Sequence, residues 1–203
     1  MMGTEAVYRD RRADFWREHF ERALPYDAYL AASPEVHAAK WRAMESSIPA
    51  LDASTRERLT GHARQLNLLV YSGVWCGDCV RQGPMLQRLA AAVGPAPGAA
   101  TLRFVERDGA PALQEELRVL GALRVPVAVF LSEDFHEVGR FGDRLLTVYR
   151  AKRERETGEA CALGLLPPPE GQLAAELAEW ADIVERMLLM LRLAPPLRAR
   201  HGD

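Results

Sequence analysis

Long apolar runs are missing from this chain of 203 residues. No stretch reaches the roughly 18 apolar residues that a membrane-spanning helix needs. The opening segment, MMGTEAVYRDRRADFWREHF, is charged from the start. It has no apolar core followed by a small-residue cleavage site, so no secretory signal is read and a cytoplasmic location is expected. An excess of one charge is missing as well. The 26 Lys and Arg nearly balance 28 Asp and Glu, for a net charge of -2, which lacks the basic excess typical of nucleic-acid binders. Cysteine is scarce: three residues do not make a disulfide framework. A chain of this length buries a sizeable core without such staples. The five histidines (His19, His37, His62, His136 and His201) are scattered.

What is present is an ordinary globular composition, 48% hydrophobic and 27% charged, arranged in a definite order. Three helical stretches come first. Residues 10–24 carry Ala13, Phe15, Trp16 and Phe20 among charges. Ser33-Pro34-Glu35 reads as a helix start, with Ser33 as cap and Pro34 in the first turn; that helix would bury Val36, Trp41 and Met44. Asp52 opens a third, ending near Arg64. At Leu66 the pattern changes. LNLLVYS, bounded by Gly73, reads as a buried strand. CVRQGPMLQRLAAAVG reads as a helix, with Pro84 inside it expected to kink it. GPAPG at 94–98 is a loop. TLRFVER alternates like a strand, and residues 111–120 form a helix. VPVAVFL is a short central strand, and HEVGRF its hairpin partner. The order is β-α-β-α-β-β, which predicts an α/β sheet with helices on both faces.

Residues 143–156 then read as a helix with Leu145, Leu146 and Tyr149 on one side, and 157–171 as a loop. Residues 172–193 read as a long final helix. Its seam, Leu173, Leu177, Trp180, Val184, Met187 and Leu191, suits either a dimer or packing on the parent domain; the intramolecular reading and a monomer are favoured. Three regions result: a helical extension at 1–57 packed on the core, a central domain at 58–143, and a helical extension at 144–203.

Two cysteines lie together in WCGDC, as Cys76 and Cys79. A C-x-x-C alone is a weak signal, but here a strand feeds a turn and the turn feeds a helix. Cys76 therefore falls at a helix N-terminus, where unpaired N–H groups and the dipole favour an anion. A thiolate there becomes a usable nucleophile at neutral pH. Cys79 follows one turn later and deeper, so Cys76 attacks and Cys79 resolves. A structural zinc site usually needs four ligands, often in two close pairs. Only Cys161 remains, with no second C-x-x-C or C-x-x-H, so metal binding is disfavoured and no metal or organic cofactor is expected.

WCGDC after an apolar strand, a proline in the following helix, and RVPVAVF later in the chain resemble the thioredoxin superfamily. The resemblance covers about residues 58–143 and rests on Trp75, Cys76, Gly77, Cys79, Pro84, Val125 and Pro126. The helical extensions suggest a bacterial thioredoxin-like branch. The resemblance implies a cis peptide bond between Val125 and Pro126, facing the sulfurs, with Val125 free to pair with an extended substrate. Trp75 would cover the site.

Two departures stand out. Thioredoxins usually have Gly-Pro between the cysteines; here it is Gly77-Asp78. The charge of Asp78 is expected to raise the Cys76 thiol pKa and bias the couple toward reduction. Thioredoxins also carry a buried Asp six residues before the first cysteine, where this chain has Val70. Asp78 or Glu106 could replace it as proton shuttle. Cys161 is expected to be passive, with a role as third redox partner the sharper alternative.

The expected activity is thiol–disulfide exchange on a protein or small-molecule disulfide, driven by an external reductase or dithiol donor, with no nucleic-acid or membrane partner. Two alternatives remain: a redox-sensing or partner-binding module, favoured slightly by Val70, and a specialised peroxide or oxyanion reductase using the same cysteines.

Overall fold

The computed structural model describes residues 10–94, 100–157 and 171–202. Its centre is β1 (Leu66–Ser72), in which every residue is buried. A strand apolar on both faces has to lie between other strands and between two helical layers, and this one does. β2 (Ala100–Glu106) pairs with β1 in parallel, Leu66 opposite Ala100 and Ser72 opposite Glu106. On its other side β3 (Val127–Leu131) runs antiparallel, and β4 (Glu137–Gly142) pairs antiparallel with β3. The order among the described residues is β2-β1-β3-β4. The parallel step needs a long crossover, and α5 (Gly77–Val93) supplies it, with Pro84 inside it. The expected α/β sheet flanked by helices is therefore the observed fold.

The N-terminal region builds part of the same core. It comprises α1 (Ala13–Arg22), α2 (Tyr26–Ala31), α3 (Glu35–Ser47) and α4 (Ala53–Leu59). Between α1 and α2, Leu24 exchanges two backbone hydrogen bonds with Phe104, of 2.9 and 2.7 Å. This covers the outer edge of β2, which would otherwise offer unpaired backbone. Tyr26, Tyr29 and Trp41 then surround the Phe104 ring, with Tyr29 stacked on it at 5.3 Å and Trp41 edge-on at 5.7 Å.

Several local expectations are corrected here. The helix α2 was not anticipated, being six residues long and lacking a side-chain cap. Ser33 does not cap α3. Its hydroxyl donates to the Tyr29 carbonyl at 2.7 Å and so closes the end of α2, while Pro34 takes the cap position of α3. Val36 is 64% exposed because the buried stripe of α3 runs through Ala38 and Trp41 instead. Asp52 does cap α4, accepting from the Thr55 N–H at 2.7 Å, but α4 stops at Leu59 rather than Arg64. The helix α6 (Pro111–Glu116) is likewise shorter than expected.

At the C-terminal side, α7 (Leu146–Thr157) begins three residues late, and Leu146 and Tyr149 are exposed where Leu145 is buried. The helix α8 (Gln172–Leu193) matches its expected bounds but is not final, since α9 (Pro195–His201) follows. Its seam is spent inside the chain. Leu177, Trp180, Val184, Met187 and Leu191 are buried, against α4, α5, α7 and β4. The stretches read from the sequence as loops at 94–98 and 157–171, Cys161 included, fall largely on residues 95–99 and 158–170, outside the described residues.

Candidate active site

The site forms where β1 hands over to α5. Gly73, Val74 and Trp75 make the turn, closed by a hydrogen bond from the Cys76 N–H to the Gly73 carbonyl at 2.9 Å. A Cβ on Gly73 would stand 2.9 Å from the Trp75 ring, so the indole can fold back only over a glycine. Trp75 remains 44% exposed, and the Arg107 guanidinium lies over its ring at 4.6 Å. The turn is held from two sides. The Trp41 indole N–H donates to the Val74 carbonyl at 2.9 Å, and the Val74 N–H donates to Glu106 Oε2 at 3.0 Å.

Cys76 occupies the cap position of α5, and Cys79 lies in its first turn. Cys79 is 1% exposed, and its sulfur accepts from the Gly73 N–H at 3.4 Å. Both thiols are free. Their environments separate them. The Cys76 pKa falls to about 6, chiefly because the Cys79 thiol donates to its sulfur; burial opposes this, and the N–H groups of Cys79 and Asp78 assist it. Cys79 moves the other way, pushed well up by burial and then by its neighbour Cys76. One sulfur is thus prepared as a nucleophile, and the other keeps its proton until called upon.

The opposite wall is the segment entering β3. The Val125–Pro126 bond is cis, as expected. In its thiol form Cys76 Sγ reaches the Val125 carbonyl at 3.7 Å. The geometry therefore brings Cys76, Cys79, Trp75, Gly77, Asp78, Val125 and Pro126 together. Asp78 is not a free charge beside the sulfur. The Arg144 guanidinium donates to its Oδ2 at 2.9 Å. The charge of Asp78 acts upward on the Cys76 pKa, as expected, but the thiol falls overall because donation from the Cys79 thiol and from the N–H groups of Cys79 and Asp78 outweighs it.

Replacing Asp78 with Asn should lower the Cys76 pKa further, by a fraction of a unit. Iodoacetamide alkylation against pH would show it, with wild type half-maximal near pH 6 and the variant shifted to lower pH. A variant profile moved to higher pH would contradict this assignment.

Glu106 lies behind the turn instead of facing Cys76. Its Oε2 accepts from both the Val74 N–H and the Tyr29 hydroxyl, the latter at 2.6 Å. Val70 is buried between Phe104 and Ala128 in the sheet register and provides no acid. Sequence reasoning missed Trp41, Tyr29, Ser72 and Arg144. Three of these reach the site only through packing. Ser72 alone had a signal, since it is two residues past Val70 and so on the same face of the strand. Among the described residues no cluster of three or more His, Cys, Asp or Glu could hold a metal, and no helix is long and apolar enough to cross a membrane.

Known proteins share this fold. No curated protein matches the chain. Among solved structures, a protein of unknown function from Pseudomonas aeruginosa matches with a TM-score of 0.56 at 22% identity, covering 87% of this chain and 93% of its own. An HIV epitope scaffold matches with a TM-score of 0.57 at 19% identity, covering 92% of this chain and 98% of its own. Both likenesses concern the fold, and both extend well beyond residues 58–143. The family model described as Thioredoxin matches residues 23–152, from the turn before α2 into α7, and on that match the chain belongs to the thioredoxin family.

Proposed function

We propose that this protein is a thiol–disulfide oxidoreductase. The observation that supports this most strongly is the split between its two thiols, one lowered to about 6 and half-buried, the other raised and buried one helical turn behind it. The Cys76 thiolate attacks a sulfur of the substrate disulfide and expels one substrate thiolate, leaving a mixed disulfide on Cys76. Cys79 loses its proton and attacks Cys76 Sγ, which forms the Cys76–Cys79 disulfide and releases the second substrate thiolate. The substrate gains two electrons, and an external dithiol restores the pair. Val125 and Pro126 form the wall against which an extended substrate would lie, and Trp75 the cover. The reading includes a reducing, cytoplasmic setting.

A dithiol-driven protein-disulfide reduction assay tests this. Wild type should turn over many times, and Cys76→Ser should fall to the uncatalysed rate. Turnover retained in Cys76→Ser would sink the assignment. Oxidation of wild type once, without turnover, would favour a redox-sensing module instead.

A further inference from the structure

Cys79 must lose a proton in the second step, yet it is 1% exposed and Val70 offers it no base. A different polar path leads from it. Ser72 is the last residue of β1, fully buried at 0% exposure. Its side chain shares a sheet face with Glu106, its register partner in β2. The Ser72 hydroxyl acts on the Cys79 thiol on one side and on the Tyr29 hydroxyl on the other, favouring the anion of each. Neither contact is tight, for Ser72 Oγ has no partner at full hydrogen-bonding geometry among the described residues. A buried hydroxyl left so loosely held calls for an explanation, and one that must rotate between two neighbours supplies it. Beyond it, the Tyr29 hydroxyl donates to Glu106 Oε2 at 2.6 Å. Burial and that carboxylate keep the Tyr29 phenol protonated. Tyr29 and Glu106 in turn line a cleft of about 300 Å³ open to solvent, with Leu24, Ser33, Pro34 and Val74.

We propose that Ser72, Tyr29 and Glu106 form a proton relay that carries the Cys79 proton to the solvent cleft during resolution of the mixed disulfide. This deepens the exchange mechanism above and rests on it. The direction of each hydrogen bond is consistent. A carboxylate only accepts, so the Tyr29 O–H points at Glu106 and its oxygen is open to a proton from Ser72. The Cys79 thiol donates to Cys76 while that sulfur is a thiolate, and once Cys76 is bonded to the substrate the Cys79 proton can turn to Ser72 instead. When the Cys79 S–H gives up its proton, the Ser72 proton passes to Tyr29 and the Tyr29 proton to Glu106. The Cys79 thiolate then bonds to Cys76 Sγ as the substrate thiolate leaves. Glu106 afterwards loses its proton to water in the cleft. Ser72 is the relay member that acts on the reacting thiol, and Tyr29 and Glu106 carry the proton onward from it.

The two steps can be timed separately with the reduced full-length protein and a chromogenic aryl disulfide, dithiobis(nitrobenzoate). One aryl thiolate leaves when Cys76 attacks, and a second when Cys79 resolves. Tyr29→Phe and Glu106→Gln keep shape, and the glutamine keeps an acceptor for the Val74 N–H. Both should leave the first phase unchanged and slow the second on the order of 10²-fold, the usual scale for a lost proton-transfer group. The second phase in wild type should also show a solvent deuterium isotope effect that changes in both variants, which a merely structural role would not produce. Ser72→Ala provides a third variant with the same expectation. A second phase at the wild-type rate in Tyr29→Phe and Glu106→Gln overturns the relay, as does equal slowing of both phases. Absence of any first phase in wild type overturns the exchange reading itself.

Discussion

Under the proposed exchange, Cys79→Ser is expected to leave a trap in place of a catalytic cycle. Cys76 keeps its helix-end N–H groups and remains a nucleophile, so the first exchange proceeds. A serine oxygen cannot displace the substrate thiolate from sulfur, so the mixed disulfide on Cys76 accumulates toward one equivalent per chain. Dithiol-driven turnover falls to background, and intact-mass measurement shows the added substrate half. Undiminished turnover in this variant would remove Cys79 from the mechanism. The companion Cys79→Ala separates a second role. Donation from the Cys79 thiol is the main cause of the lowered Cys76 pKa. A serine hydroxyl can still donate, whereas alanine cannot, so the alkylation midpoint should lie at higher pH in the alanine variant than in the serine variant.

Gly83→Ala is expected to destabilise the fold strongly, against the usual trend. Alanine in a helix interior ordinarily gains about 0.5–1 kcal/mol over glycine. Here a Cβ would stand 2.0 Å from Trp41 Cζ3 and 2.5 Å from Cη2. Neither partner can yield easily. Trp41 is fully buried, hydrogen-bonded to Val74 and enclosed by Tyr26, Tyr29 and Phe104. Overpacking of this kind costs about 1–3 kcal/mol and sometimes more, so a net loss of about 2 kcal/mol is expected. For a chain of this size that lowers the thermal midpoint by roughly 4–8 °C. A midpoint unchanged or raised would refute the close approach. Trp41→Phe in the same chain offers a smaller ring, so the double variant should lose less than the sum of the single losses.

The sequence made the central frame legible because its signals there are local. LNLLVYS is apolar on both faces, and β1 is buried throughout. The turn into α5 places Cys76 and Cys79 by spacing alone, and the seam of α8 is regular enough to give that helix its observed bounds. The unread parts depend on contacts between distant residues. Nothing near Tyr29 shows that its hydroxyl meets a carboxylate 77 positions away. Ser33 beside Pro34 looks like a helix cap, but its hydroxyl bonds backward to the end of α2. Asp78 reads as an unopposed charge until Arg144, which is 66 positions away, is seen to hold it. Val36 stands five residues before Trp41, about 140° round the helix, and the packing of α3 on α5 covers the Trp41 side.

The way the N-terminal helices grip the turn before Cys76 also bears on how such a protein can change over evolutionary time. Trp41 holds Val74 directly, and Tyr29 holds it through Glu106, while Leu24 completes the edge of β2. Moving the stretch from 58 to 143 without these helices would leave the turn before Cys76 and the edge of β2 without these partners. Inheritance of the reactive cysteines carries with it the aromatic residues of α2 and α3, and drift at Tyr29, Trp41 or Gly83 has to be answered by change in its neighbours.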